Sequence, residues 1–312
     1  FRSPISHKTA KKWLINFFKN KLKNFGPYQD FVKKGENFMF HSILSSSINI
    51  GLLNPSEIIK ELKKYKSKVN INSFEGYLRQ LFWREYQRYT YIYVDWKKLN
   101  YFGNKKKLTK KWYNGTLNIP PVDDLIKDGF ETGYIHHIGR LMFVGNFMNL
   151  SGISPNEGVK WFMEFSIDSY EWVMQQNVSD TVFFVTGGLT MRKPYITSSN
   201  YILKMSNYKK GSWSEERTRL YRLFLKKHKV KLLKDFNNKK YNCKDEFQKI
   251  KDEFNILKFN ETFTNKEKIR LAGIFIYLNK RSFNGLYREN KSGIYNVPYR
   301  ENKSNIYDEE LL

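Results

Sequence analysis

The sequence has a single cysteine, Cys243. That excludes an intrachain disulfide and any metal or iron–sulfur centre held by cysteines alone. Long uncharged apolar runs are missing as well, so no membrane-spanning helix is expected. The five histidines do not fall at zinc-binding spacings. No secretory signal peptide is recognisable, which makes an intracellular setting the default expectation. Acidic residues are scarce: 30 Asp and Glu face 55 Lys and Arg, a formal net charge of +25. A field of that sign attracts polyanions, and lysines that neutralise phosphates gain from the counterions they release. Nucleic acid is the expected partner, with a membrane surface as the rival. An AT-rich gene would also raise the Lys and Asn content without functional meaning.

What is present in quantity is aromatic and apolar. Aromatic residues make up 17% and hydrophobic residues 40% of the chain, enough for a packed core. Each ring is either core or a stacking surface for another ring system. Most of the sequence reads as helix. Trp13, Leu14, Phe17, Phe18 and Leu22 recur at helical spacing between Ala10 and Phe25, and Trp161, Phe165 and Tyr170 do so between Gly158 and Trp172. Helix starts of the capping-box type are expected at Asn54–Glu57, Asn72–Glu75, Ser154–Glu157 and Thr264–Glu267, two of them with Pro at the first helical position. Regular strand alternation is missing before about residue 280. The fold class expected is all-α for residues 1–242. A polar, aperiodic stretch at 235–243 reads as a linker. Beyond it come a helix from Lys266 to about Leu278 and turns at Asn284-Gly285 and Ser292-Gly293, a small helix plus β-hairpin appendage over 243–312.

Several motifs follow one another in the first part. They are Gly26-Pro-Tyr-Gln-Asp30, Phe40-His-Ser-Ile-Leu-Ser-Ser46, Trp83-Arg84-Glu85-Tyr86, Tyr134-Ile-His-His-Ile-Gly-Arg-Leu-Met142, Asp168-Ser-Tyr-Glu-Trp172, Gly187-Gly-Leu-Thr-Met-Arg-Lys-Pro-Tyr195 and the run Ser199–Tyr208. Small hydroxyls at a helix start can cradle a phosphate, or simply cap the helix. As an ordered set over about residues 1–240, these motifs resemble the helical domain of the photolyase/cryptochrome family, in particular bacterial (6-4) photolyases and iron–sulfur cryptochromes. The family's N-terminal antenna domain has no counterpart.

The resemblance implies FAD folded into a helical bundle. Tyr28, Ser42, Leu44 and Ser45 match the positions that hold its phosphates, Arg84 a phosphate-side arginine, and Asp168 the acid beside the flavin ring. Read without the family, Arg84–Glu85 is a helix surface pair and Asp168 a buried cap. His136 and His137 match the pair that lines the lesion pocket, where imidazole suits proton transfer near neutral pH. Tyr195 and Tyr201 match lesion-side tyrosines, with core packing as the alternative, while Arg140 and Lys193 are expected at DNA phosphate. Trp161 stands at the flavin-proximal place of the electron relay.

The chain also departs from the family. Where the family has cluster cysteines it has Pro121, Lys209 and Ser212, so the iron–sulfur cluster is expected to be absent. Phe162 stands where Tyr is usual, Tyr113 falls at the outer relay position, and Met174 replaces the acidic or amide residue that faces the reactive flavin nitrogen. The C-terminal segment, about 244–312, is similar to the central part of Dam-type adenine-N6 DNA methyltransferases. Phe283 and Asn284 match residues that press on the base stack, and Arg288 and Asn290 match base or phosphate contacts. The methyltransferase catalytic motif and the methyl-donor loop are missing, so the segment is either an added DNA-contact module or a fusion remnant.

The function expected is light-driven electron transfer from reduced FAD to a pyrimidine lesion, a (6-4) photoproduct first, with damaged DNA as partner and a separate chain as a candidate source of the antenna domain. The alternatives are a catalytically degenerate or cryptochrome-like DNA-binding flavoprotein, and the DNA-recognition part of an adenine methyltransferase.

Overall fold

A computed structural model of the chain describes residues 3–191, 193–236, 244–259, 271, 274, 278 and 288–299. In chain order the helices are α1 (His7–Asn20), α2 (Leu22–Tyr28), α3 (Ser45–Asn49), α4 (Pro55–Lys63), α5 (Ile71–Tyr93), α6 (Lys111–Asn114), α7 (Pro120–Thr132), α8 (Asn146–Leu150), α9 (Pro155–Phe165), α10 (Glu171–Met174), α11 (Ser199–Lys204), α12 (Ser212–Phe236) and α13 (Lys244–Leu257). Among the described residues, extended pairing is limited to isolated bridges. The all-α expectation therefore holds. No described helix is long and apolar enough to cross a membrane.

Helix α1 begins with a reciprocal cap: Ser6 Oγ accepts from Thr9 N, and Thr9 Oγ1 accepts from Ser6 N. Its Ala10, Leu14, Phe17 and Phe18 are buried at the three- and four-residue steps that define one helix face. The single helix expected as far as Phe25 is interrupted at Lys21 and resumes as α2. Helix α2 crosses α5 at Gly26, where an added Cβ would lie 2.5 Å from Ser73 N. Only glycine permits that approach, and Gly26 N donates to Ser73 Oγ at 2.9 Å.

Ser73 therefore works across the helix contact, and the cap expected at Asn72 does not form. Helix α5 begins two residues earlier, at Ile71 behind Asn70, without a side-chain cap. The expected start at Asn54 is present, with Asn54 Oδ1 accepting from Ser56 N at 2.9 Å and Pro55 in the first turn. At α9 Pro155 is in place, but Ser154 makes no side-chain cap. Glu157 instead accepts from Leu108 N at 3.1 Å. The start expected at Thr264 lies outside the described residues.

The chain divides into two units, Phe1–Phe224 and Leu225–Leu312. The first holds two apolar cores. One, built by α1 to α5, includes Phe17, Phe18, Leu44, Ile48, Tyr77 and Leu81. The other, built from α6 onward, includes Trp112, Phe143, Trp161, Phe162, Met174 and Phe183. Two stretches wind as wide π turns, Gly139–Gly145 leading into α8 and Gln175–Val182 following α10. They touch where a Cβ on Gly145 would meet Val182 Cγ2 at 2.7 Å.

In the second unit Phe247, Phe254, Ile274, Leu278, Tyr295 and Val297 form a small core. Asn255 holds Tyr295 by both backbone groups, donating to its carbonyl at 3.1 Å and accepting from its N–H at 2.8 Å. The expected turn at Ser292-Gly293 is present, with Gly293 at φ 74° and one antiparallel bridge, Glu289 to Tyr295. The turn expected at Asn284-Gly285 lies outside the described residues.

Candidate functional site

The seam between the two cores of the first unit carries the polar chemistry. The segment Asn37–Leu44 crosses it as a loop, and two of its residues, Met39 (φ 36°) and Ile43 (φ 56°), have left-handed backbone. For β-branched Ile43 that conformation is an outlier, of the kind that persists only where the surroundings enforce it. Ser42, Leu44 and Ser45 follow directly, and Leu44 is buried while Ser45 opens α3.

Asp168 sits opposite, in the break between α9 and α10 where the helical period expected through Trp172 is interrupted. Its carboxylate is almost fully enclosed. Arg140 Nη2 reaches Oδ1 at 2.9 Å, Ser166 Oγ donates to Oδ1 at 2.5 Å, and Ser45 Oγ donates to Oδ2 at 2.6 Å. Burial pushes the Asp168 pKa up, but the Arg140 guanidinium and the two hydroxyls outweigh it and hold the group below the usual carboxylate range. Asn49 donates to the Asp168 carbonyl at 2.8 Å and accepts from Arg84 Nη2 at 3.2 Å. Arg84 is further paired with Glu85 at 3.0 Å and stands 4.7 Å over the Trp172 ring. One network thus ties together Ser45, Arg84 and Asp168, three residues expected at the cofactor from widely separated motifs. Of the two other polar members of that set, Ser42 meets the Tyr77 hydroxyl, and Tyr28 is partly exposed and packs on Phe31 and Phe40.

Arg140 is placed differently from the phosphate contact expected of it. Its side chain is only 15% exposed, its Nε donates to the Ile135 carbonyl, and its plane lies 5.5 Å over the Tyr134 ring. Committed to Asp168, it is a strut of the seam. Lys193 is exposed.

His136 is buried and its ring stacks on that of His41 with centroids 4.5 Å apart. Burial, then His137 and Arg140, push its pKa down to about 3, so it is neutral at physiological pH. His137, adjacent in sequence, points to a more open place and stands 3.6 Å from Asp30. Tyr195 and Tyr201 are half-buried and feel the same Asp30; burial first, then Asp30 and Tyr195, raise the Tyr201 pKa to about 12. His137 and the two tyrosines expected around a lesion therefore share one acidic neighbour, Asp30.

Trp161 is fully buried, and its indole N–H donates to the Trp112 carbonyl at 2.9 Å. Phe130 lies 5.7 Å from it and 5.9 Å from Tyr113, so an aromatic path Trp161–Phe130–Tyr113 leads outward. Phe162 and Met174 are both buried in the same core. Of the residues expected at the family's cluster-cysteine positions, Pro121 lies in the first turn of α7, and Lys209 offers its carbonyl to the Trp213 indole at 3.1 Å. Ser212 opens α12.

In the second unit Asn290 closes the turn, accepting from Ser292 N at 3.0 Å and Ile294 N at 2.9 Å. Arg288 Nε donates to Asn296 Oδ1 at 2.9 Å across it. Phe283 and Asn284 lie outside the described residues.

The sequence reading passed over four residues of the seam. His41 lay inside a quoted motif but was not singled out. Asn37 donates to Thr132 and to the Tyr134 carbonyl. Asn49 bridges Arg84 and Asp168, and Trp172 carries the Arg84 guanidinium. A histidine flanking a hydroxyl cradle was the one signal available.

The helical architecture resembles the helical domain of photolyases and cryptochromes. A crystal structure of a bacterial class III photolyase from Agrobacterium tumefaciens has the same fold, with a TM-score of 0.53 at 18% identity, covering 88% of this chain and 56% of that one. A cryptochrome structure from Synechocystis gives a TM-score of 0.51 at 18% identity over 73% of this chain and 47% of that one. The (6-4) photolyase of Agrobacterium fabrum is 35% identical over 213 residues, 67% of this chain but 42% of the relative, so the chain spans less than half of that protein. Residues 201–312 match the D12 class N6 adenine-specific DNA methyltransferase family. The chain is therefore a photolyase/cryptochrome homologue that also carries D12 methyltransferase sequence in its C-terminal third.

Proposed function

We propose that this protein binds FAD and damaged DNA and repairs a pyrimidine lesion in the light, with the (6-4) photoproduct as substrate. One observation carries the reading. Directly after the strained Asn37–Leu44 loop, Ser45 joins the network of Arg84 and Asp168, while Asn37 Oδ1 in the loop and Ser47 Oγ in α3 are buried without a protein partner. Native interiors seldom leave such atoms unsatisfied, and strain of this kind gathers at ligand sites. Hydroxyls and an arginine can donate to a diphosphate, and an orphaned amide oxygen can accept from an N–H at a polar ring edge, so the residues present fit the group.

When bound, reduced FAD would supply the electron that light drives into the lesion. This chain's residues do the rest. The Arg140–Asp168 pair props the loop against the second core. Arg84, kept in place by Glu85, Asn49 and Trp172, offers positive charge toward a phosphate. His137, open and beside Asp30, can hold or pass a proton at its imidazole nitrogens, while neutral His136 behind it offers a donor or an acceptor but no charge. Half-buried Tyr195 and Tyr201 would line the pocket for a flipped-out base. Exposed Lys193 and the excess of basic residues would hold the phosphate backbone. In the second unit, Arg288 and the Asn290 turn, with Phe283 and Asn284, are proposed to add DNA contacts. The iron–sulfur centre of relatives is proposed to be lost, given Pro121, Lys209 and Ser212.

Buried Met174 and Phe162 favour a second reading, a DNA-binding flavoprotein without repair. A thioether offers the flavin neither a charge nor a hydrogen-bond donor. The test is a duplex with one (6-4) photoproduct, incubated with protein, FAD and reductant under blue light. Repair that slows on His137→Ala supports the first reading. A lesion left intact by flavin-loaded protein overturns it in favour of the second.

A further inference from the structure

Three imidazoles meet in the first unit. His41 comes from the loop before α3, and His136 and His137 come from the segment that leads into the first π turn. One nitrogen of each lies within 4.8 Å of one nitrogen of each other. Two of the three are deep: His41 is 5% and His136 1% exposed. Both carry a buried nitrogen that no protein group satisfies, Nε2 of His41 and Nδ1 of His136. Leaving one such atom unpaired costs about 1–3 kcal/mol, and here two of them belong to rings stacked 4.5 Å apart. Among the described residues no other group of three histidine, cysteine or carboxylate side chains converges in this way.

We propose that His41, His136 and His137 form a binding site for a borderline divalent transition-metal ion of the zinc class. Neutral imidazole is the preferred nitrogen ligand for such ions, and three of them leave a fourth position for water. Burial already keeps His41 and His136 unprotonated, so an ion has no proton to displace from either. Asp30, 3.6 Å from His137, can accept from the free ring N–H of that ligand and so raise its basicity. Two features act against the site and set its strength. Lys21 and Arg140 are close enough to depress the histidine pKa values and will also repel a cation. The His41 and His136 rings are stacked within 15° of parallel. Parallel planes cannot both contain one ion, so one ring must turn, and the nitrogens must draw in to roughly 3.4 Å, the tetrahedral separation for metal–nitrogen bonds of about 2.0–2.1 Å. Hard cations such as magnesium, which prefer oxygen ligands, are not expected to bind here.

The site shares His136 and His137 with the repair reading but does not rest on it, and it is tested without flavin, DNA or light, so that the failure of one is distinguishable from the failure of the other. Zinc is titrated calorimetrically into the full chain, and cobalt is added to the same protein and followed by its visible d–d absorption. The site predicts one ion per chain, with tetrahedral-type cobalt bands. It also predicts at least a tenfold loss of affinity in His41→Asn and in His136→Asn, and no change in His228→Asn. His137→Asn alters the more exposed ligand and should weaken binding without disturbing the fold, which keeps the test open if a buried variant fails to fold. No saturable binding, or equal binding in the wild type and His137→Asn, overturns the proposal.

Discussion

Replacing Arg140 by Met is the most informative single change. It keeps most of the side-chain volume but removes the cation 2.9 Å from Asp168, which is buried among Ser45, Ser166 and Asn49. Breaking a buried ion pair from one side costs about 3–5 kcal/mol, because the remaining charge is left uncompensated. Both side chains are well under a third exposed, so little solvent discount applies. For a unit of 224 residues that corresponds to a fall in Tm of about 6–20 °C. The pH dependence follows from Asp168. In the wild type its folded pKa lies below the unfolded value, so its contribution is full above about pH 4 and is lost as pH falls through the folded pKa. Without Arg140, burial prevails and the folded pKa rises above the unfolded value. The variant then gains relative stability as pH falls from 7 toward 4. Urea unfolding at pH 7 and pH 5 reads both effects. The gap between wild type and variant should be large at pH 7 and narrower at pH 5, and Arg140→Met with Asp168→Asn should recover most of it. A loss under about 1 kcal/mol, or a gap that does not change with pH, refutes the assignment of Arg140 as the strut of a charged Asp168.

Gly158→Ala should destabilise the first unit by about 1–3 kcal/mol in urea unfolding, since overpacking forces neighbours to shift and the new Cβ would lie 2.4 Å from Phe183 Cε2. Asn255→Ala strips Tyr295 of two backbone partners, which should cost about 1–3 kcal/mol and raise amide exchange at Tyr295 while leaving the first unit unchanged. DNA affinity should fall steeply between 50 and 200 mM salt, as counterion release requires. A flat salt response would mean that the +25 charge is not used on phosphate.

Local signals in the sequence were legible where the chain decides its own structure. Asn54 and Pro55 start α4 as their chemistry dictates, and the apolar steps of α1 are buried where the period puts them. The errors fall where a partner elsewhere decides. Asn72 to Glu75 has the composition of a helix start, yet Ser73 is taken by Gly26 of α2 and the helix begins earlier. The period from Gly158 to Trp172 hides a break, because Asp168 must face Ser45 and Arg140. The π turns at Gly139–Gly145 and Gln175–Val182 leave no mark in a 3.6-residue pattern, since close packing of Gly145 against Val182 accompanies them. Ser45, Arg84 and Asp168 were grouped from motif order alone, and the structure joins them through the Ser45–Asp168 hydrogen bond and through Asn49. His41 and Arg217 were missed for a common reason. Nothing local tells a buried charged or imidazole group from an exposed one: Arg217 is fully buried on the carbonyls of Met142 and Phe143 and on Asn146, with no carboxylate among these partners.

The measurement that bears most directly on the proposed function is the absorption spectrum of the protein after mixing with FAD and removal of free ligand. A structured flavin spectrum that stays with the protein until it is denatured, and that is lost in Arg84→Ala, is the predicted result. A colourless protein that retains no FAD while keeping its fold and its DNA binding would contradict the flavin site, and with it the repair chemistry.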